Sequence, residues 1–428
     1  MSATSLSCRF CATPLPHSIA DLGTSPLANA YLTADRLNAA EAYYPLHAFV
    51  CEHCFLVQLG EFAAPADIFS DYAYFSSVSE SWVEHARRYA AEMTARLGLG
   101  ARHRVVEIAS NDGYLLQFFR ERGIGVLGVE PAANVALAAE ARGIPTLVKF
   151  FGHRTARELV AGGTRADLLV GNNVLAHVPA LNDFVAGVCE VLAPDGRATF
   201  EFPHLLRLIE GAEFDTIYHE HFSYLSLLAV RRVFAAHGLT VVQVDELPTH
   251  GGSLRVHARH TESAGPVDPS VPAVLAAESA AGLDRIETYT AFQGSVRRAK
   301  RELLRFLLAA RRQGRSVVAY GAAAKGNTLL NYCGIRGDFI DYVVDRSPHK
   351  QGRFLPGSRL PIHAPERIAE TRPDYVLILP WNLREEIMRQ MPHVREWGGR
   401  FVVPIPTVQV VGPSRRRWVA FDAAQRSA

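Results

Sequence analysis

Two cysteine pairs constrain this chain before anything else does. They read Cys8-Arg-Phe-Cys11 and Cys51-Glu-His-Cys54. In each C-x-x-C one tight turn puts two thiolates on the same side of a metal, and a second turn completes a tetrahedron, the arrangement of structural zinc. Four thiolates leave no open coordination position, so such a metal holds a fold and does no chemistry. Apparent binding energies for such sites are about 10–16 kcal/mol, enough to organise a region with little core of its own. A strand-like stretch, YYPLHAFV, leads into the second pair.

At 428 residues the chain exceeds one ordinary core, and two or three domains are expected. The formal net charge is +2, from 45 basic and 43 acidic residues, which argues against a surface built to neutralise many phosphates. The basic run Arg415–Arg417 reads as a solvated tail. The first residues lack the apolar stretch of a signal peptide, and no segment approaches the ~18–20 continuous apolar residues of a membrane helix. The expectation is a soluble cytoplasmic protein without membrane contact.

The middle of the chain alternates strand and helix. Ser79 or Ser81 is placed to cap a helix whose apolar positions recur at helical spacing through Leu97. Val105–Ile108 reads as a buried strand, ASNDG as a tight turn, Tyr114–Arg122 as a helix, and VLGVEP as a second strand ending in Glu130. This is the doubly wound nucleotide-binding pattern, with an acid able to hydrogen-bond both ribose hydroxyls. The turn holds only Gly113, whereas a pyrophosphate needs several glycines to approach a helix terminus. A cofactor without phosphate does not, and Glu107–Gly113 therefore reads as a turn for S-adenosylmethionine (SAM) and not NAD. Glu107, Ala109, Asn111, Gly113, Glu130 and Pro131 are the candidate cofactor contacts. Asn172 joins them from the polar loop after the strand Leu168–Gly171.

A third region is expected from Glu246 onward. GGSLRVHARH reads as a strand after a glycine turn, and RSVVAYGAAAKGNTLLNYC as strand, small-residue loop and helix. Gly321–Thr328 nearly matches a phosphate loop, but Asn327 stands where the phosphate-binding lysine belongs. ATPase activity is not expected. Lys325 remains available as a point charge beside a nucleotide's phosphates. The expected organisation is an α/β protein: a zinc-binding region over 1–75, a Rossmann-like SAM domain over 76–245, a smaller Rossmann-like α/β domain over 246–410, and a tail over 411–428.

The order of these elements, with YHEH at Tyr218–His221 followed by GGSLRV and YGAAAKGNT, resembles the sugar C-methyltransferase family. The resemblance spans Cys8 to about Pro406. It implies methylation of carbon 3 of a nucleotide-linked 4-keto deoxysugar, with a thymidine diphosphate carrier as the family-level expectation. It also implies His221 as the base that removes the carbon-bound proton, helped by Glu220 and Tyr218, with His177 and Tyr72 reaching the same pocket. Lys325, Asn327, Ser253 and Arg255 are the substrate-binding candidates, and Arg353 a weaker one. Spacing alone does not choose between His219 and His221, which share one face of an extended segment.

Three other readings frame these expectations. His219 and His221 form H-x-H, but a metal there needs a third ligand and an open position. An O- or N-methyltransferase would gain less from a dedicated carbon base. A zinc-knuckle RNA binder or RNA methylase would call for interleaved basic and aromatic residues, which the chain lacks. No obligate protein partner is implied.

Overall fold

A computed structural model describes residues 6–64, 75–411 and 419–420. The chain forms two compact units, each assembled from three segments. The first comprises Met1–Pro16, Val50–Leu206 and Glu220–Arg285, and the second His17–Phe49, Arg207–His219 and Ile286–Ala428.

The first unit is built on a seven-stranded sheet. Its strands are β1 (Arg104–Ile108), β2 (Gly125–Val129), β3 (Thr146–Leu147), β4 (Ala166–Asn172), β5 (Leu192–Pro203), β6 (Leu239–Leu247) and β7 (Ser253–His260), in spatial order β6-β7-β5-β4-β1-β2-β3. β1 pairs in parallel with both β2 and β4. The strand order therefore reverses at β1, and the loops leaving the carboxyl ends of β1 and β4 diverge. In open α/β sheets that divergence makes the ligand crevice.

Helix α1 (Glu80–Leu97) covers one face of this sheet. The Ser79 side chain caps it by accepting from the Trp82 N–H, and Gly98 ends it in the left-handed conformation. Its stripe Ala86, Tyr89, Ala90 and Met93 packs against Val105, Phe118 and Phe119.

Ser253–His260, expected in the third region, belongs to this sheet. It runs antiparallel to β5 with Leu254 opposite Phe202 and Ala258 opposite Ala198. The alternation of SLRVHARH suggests a strand with one wet face, yet its polar side is also buried. Arg255 there pairs with Glu201 through Nη2 at 2.7 Å, and His257 with Asp245 at 2.8 Å. An ion pair to Glu201 on β5 and a hydrogen bond to Asp245 on β6, both remote in sequence, close a face that the local pattern leaves open.

The second unit holds another seven-stranded sheet. Its strands are β8 (Val317–Tyr320), β9 (Val343–Val344), β10 (Ile362–His363), β11 (Tyr375–Ile378), β12 (Arg400–Val403), β13 (Gln409–Val411) and β14 (Val419–Ala420), ordered β10-β9-β8-β11-β12-β13-β14. Parallel pairing on both sides of β8 gives a second reversal point. The long helix α2 (Ile286–Arg312) precedes β8, and α3 (Ala324–Cys333) follows it. Gly321 is required in the turn between β8 and α3: its φ is +95°, and a Cβ would meet Pro380 at 2.4 Å.

Candidate active site

The two cysteine turns are conformational copies. The residue after each second cysteine, Ala12 and Phe55, has φ of 60°. Its N–H donates back to the first cysteine's carbonyl at 2.9 Å in both turns. The sulfurs of Cys8, Cys11, Cys51 and Cys54 lie within 4.8 Å of one another. The buried Gln58 donates its Nε2 to Cys8 Sγ at 3.2 Å, the kind of outer contact that orients a metal-bound thiolate. Donor type, number and convergence all fit a tetrahedral zinc.

The crevice at β1 is shaped by backbone rather than by glycines alone. After Ile108 the chain turns through Ala109 (φ 54°), Asn111 (φ 51°) and Gly113 (φ 75°). Gly113 admits no side chain, because a Cβ would meet Ile144 Cγ1 at 2.8 Å. Glu130, leaving β2, accepts from the N–H of Asn111 at 3.0 Å and of Ala132 at 2.9 Å. Burial raises its pKa, and those two amides pull it back. Glu107 is buried further, and desolvation, with Glu130 and Asp112 nearby, pushes it well above the carboxylate range. Asn172, at the end of β4, has both amide atoms buried without a hydrogen-bond partner, as does Oε2 of Glu107. Orphaned polar atoms gathered at the strand-order reversal are what a polar, phosphate-free cofactor would satisfy. Pro131, the residue after Glu130, is half-buried.

Three contacts that sequence reading missed hold this loop. Asn111 Oδ1 accepts from Ser76 N–H at 2.8 Å. Arg142 pairs with Asp112 at 2.9 Å and donates to Ser77 Oγ at 2.9 Å. The only local signal for them is the polar run inside ASNDG.

The YHEH segment separates its two histidines. His219 belongs to the second unit, is buried, and has its Nε2 3.1 Å from the carbonyl of Pro45, with its ring edge-on to Tyr44. His221 belongs to the first unit, where its ring lies 4.8 Å from that of His177 in an edge-to-face pair and 6.1 Å from that of Tyr224. His177 sits in the short turn Leu175–His177 that follows β4. Desolvation lowers its pKa to about 4, partly opposed by a hydrogen bond to the Glu220 backbone. Glu220 is buried and Tyr218 half-buried. Tyr72 lies outside the described residues.

Residues 8–69 match a zinc binding domain, 82–244 a methyltransferase domain and 248–406 a C-methyltransferase C-terminal domain. The chain is 37% identical over 407 residues to the C-methyltransferase NovU of Streptomyces niveus, covering 94% of this chain and 96% of that one. The chain belongs to this C-methyltransferase family. It is a SAM-dependent methyltransferase with a four-cysteine structural zinc site.

Other likenesses to this C-methyltransferase are partial. A ubiquinone biosynthesis O-methyltransferase of Methylobacterium sp. (strain 4-46) is 32% identical over 96 residues, 22% of this chain and 37% of its own. Among solved structures, a 1,6-didemethyltoxoflavin N1-methyltransferase of Burkholderia thailandensis aligns at 21% identity, covering 48% of this chain and 95% of its own, with a TM-score of 0.34. The magnesium protoporphyrin IX methyltransferase of Synechocystis PCC 6803 aligns at 14% identity over 41% of this chain and 82% of its own, with a TM-score of 0.33.

In the C-methyltransferase's second unit, Lys325 lies in the first turn of α3 and is already engaged. Its Nζ donates to Asn382 Oδ1 at 2.9 Å and lies 4.4 Å from the Trp381 ring centroid. Asp215 and Glu213 are its electrostatic neighbours, and Trp381 Nε1 donates to Asp215 at 2.8 Å. Asn327 is fully buried with both amide atoms unpartnered. In the first unit, Ser253 donates to the Thr249 carbonyl at 2.9 Å, and Arg255 is held by Glu201. Ser253 and Arg255 are thus buried with their polar groups satisfied inside the fold, whereas Asn327 is buried with its amide unsatisfied. Arg353 is exposed. Among the described residues no helix is long and apolar enough to cross a membrane.

Proposed function

We propose that this C-methyltransferase acts on carbon 3 of a nucleotide-linked 4-keto deoxysugar, and that His221 removes the proton there. The observation that carries the reading is the separation of the two YHEH histidines. His219 is anchored to the Pro45 carbonyl, while His221 stands beside His177.

A proton on carbon beside a ketone leaves as an enolate forms, and a base near neutrality suits that step. His177 is held neutral at pH 7 by burial, so it does not oppose the charge His221 gains. The proton moves to the His221 ring. Bound SAM would supply the electrophilic methyl group that the enolate carbon takes up. Glu130, the Ala109–Gly113 turn and Asn172 would hold the cofactor. Tyr218 and Tyr72 are the donors proposed for the developing oxyanion, and Glu220 orients the base or the sugar. A thymidine diphosphate carrier is part of this reading, with Lys325 and Asn327 as its candidate contacts, Asn327 through an amide left unsatisfied within the fold.

The test incubates zinc-replete enzyme, SAM and a dTDP-4-keto-2,6-dideoxyhexose in deuterated water, followed by mass spectrometry. One added methyl group, with deuterium entering recovered substrate at carbon 3, is expected. Neither signal while SAM still binds would sink the carbon-acceptor reading and favour an oxygen or nitrogen acceptor.

A further inference from the structure

Arg9 lies between the ligands of the first cysteine turn, yet its side chain leaves the metal. Its backbone N–H donates to Gln58 Oε1 at 2.8 Å, and Gln58 in turn contacts Cys8 Sγ. The main chain on either side is fixed as well: Asn182 donates its Nδ2 to the carbonyls of Arg9 and Phe10 at 3.3 and 2.9 Å. From this rigid base the guanidinium reaches in two directions. Nη2 donates to the Leu59 carbonyl at 2.5 Å and Nη1 to the Pro179 carbonyl at 3.2 Å. The guanidinium carbon stands 5.5 Å from the centroid of the Phe222 ring.

These partners are the anchors of the two histidine loops. Pro179 follows His177 by two residues, and Phe222 is the residue after His221. Leu59 also donates its N–H to the Phe222 carbonyl at 3.0 Å, and its strand pairs with Ser223–Tyr224. One planar cation, seated on the cysteine turn, therefore touches both segments that bring His177 and His221 edge to face. All of these residues lie in the first unit.

We propose that Arg9 is a positioning residue for the reaction: through its guanidinium the zinc knuckle fixes the His177 and His221 loops relative to each other. The catalytic part of this statement rests on the reading of His221 as the base. The geometry calls for arginine, since a lysine ammonium is a compact point charge and lacks the rigid fork that spans two carbonyls while covering a ring. Misplacing a reacting group by about 1 Å costs on the order of a hundredfold in rate.

The experiment uses the full-length, zinc-replete protein with Arg9→Gln and Arg9→Lys, labelled with 15N-histidine. Ring resonances are assigned through His177→Gln and His221→Asn, and metal content, calorimetric SAM affinity and deuterium exchange at carbon 3 of the sugar are measured alongside. With zinc retained and SAM affinity within about twofold of wild type, both substitutions should shift the His177 and His221 ring signals and slow exchange by about ten- to a hundredfold. If Arg9→Gln loses metal, Arg9→Lys, which keeps the charge beside the knuckle, carries the test. Unmoved histidine signals in a folded, metallated variant overturn the proposal. Moved signals with undiminished exchange uphold Arg9 as the link between the loops and remove His221 as the base.

Discussion

The rings of His177 and His221 meet edge to face with centroids 4.8 Å apart, although 44 residues separate them in the chain, as their numbers show. Burial holds His177 neutral, with its pKa lowered to about 4. A histidine whose folded pKa lies below its unfolded value of about 6.5 contributes stability that is complete above pH 6.5 and drains away as pH falls toward 4. His177→Gln should flatten that acid limb. Melting temperature against pH, compared with wild type, reads the difference. Parallel curves would show that His177 does not titrate as its burial implies.

His221→Asn should lower turnover by about two to four orders of magnitude, the usual contribution of a general base, while calorimetric SAM affinity stays near wild type. His219→Ala should behave in the opposite way. It removes the contact to the Pro45 carbonyl and should destabilise by about 1–3 kcal/mol in denaturant titrations, with a smaller effect on turnover. Equal kinetic losses from the two variants would contradict the division of roles.

Glu130 accepts from the N–H groups of Asn111 and Ala132 and so orders the turn after β1, the proposed cofactor turn. Glu130→Ala leaves both without that acceptor and should weaken SAM binding by about tenfold or more. The KM for the proposed sugar substrate should change little. Steady-state kinetics in both substrates separate the two effects, and a sugar-only defect would count against the cofactor assignment.

Gln58 orients the Cys8 thiolate from outside the metal's ligand set. Loss of such a contact typically costs ten- to a hundredfold in metal affinity. Gln58→Ala should therefore release zinc to a competing chelator at about tenfold lower chelator concentration, and melt earlier once stripped. An unchanged competition curve would make Gln58 a packing residue only.

In the second unit Glu213 is raised to about 8, chiefly by burial and then by Asp215, with Lys325 opposing. Its folded pKa exceeds its unfolded value of about 4.5, so its contribution is complete below pH 4.5 and is lost as pH rises through 8. Glu213→Gln keeps the shape without the charge. It should melt higher than wild type at pH 8–9 and nearly alike at pH 5. A lower melting temperature across the whole range would show that the ionised carboxylate stabilises the unit through Lys325.

Local chemistry made much of this protein legible. The cysteine pairs specified a closed metal site, because ligand spacing within a turn is a property of a few consecutive residues. The strand, turn, helix, strand rhythm and the acid ending β2 specified a cofactor sheet, because hydrophobic period and turn geometry are local as well. The YHEH resemblance pointed to proton removal from carbon.

Only the tertiary structure decided the rest. It drew β7 into the first unit's sheet, since Glu201 pairs with Arg255 and Asp245 accepts a hydrogen bond from His257, so that both can be buried. It sent His219 and His221 to different partners, a distinction invisible in a segment where both share a face. It turned Arg9 from a spacer between ligands into a bridge to Pro179, 170 residues away. Such contacts depend on where the chain returns after folding, and no periodicity or local spacing encodes that return.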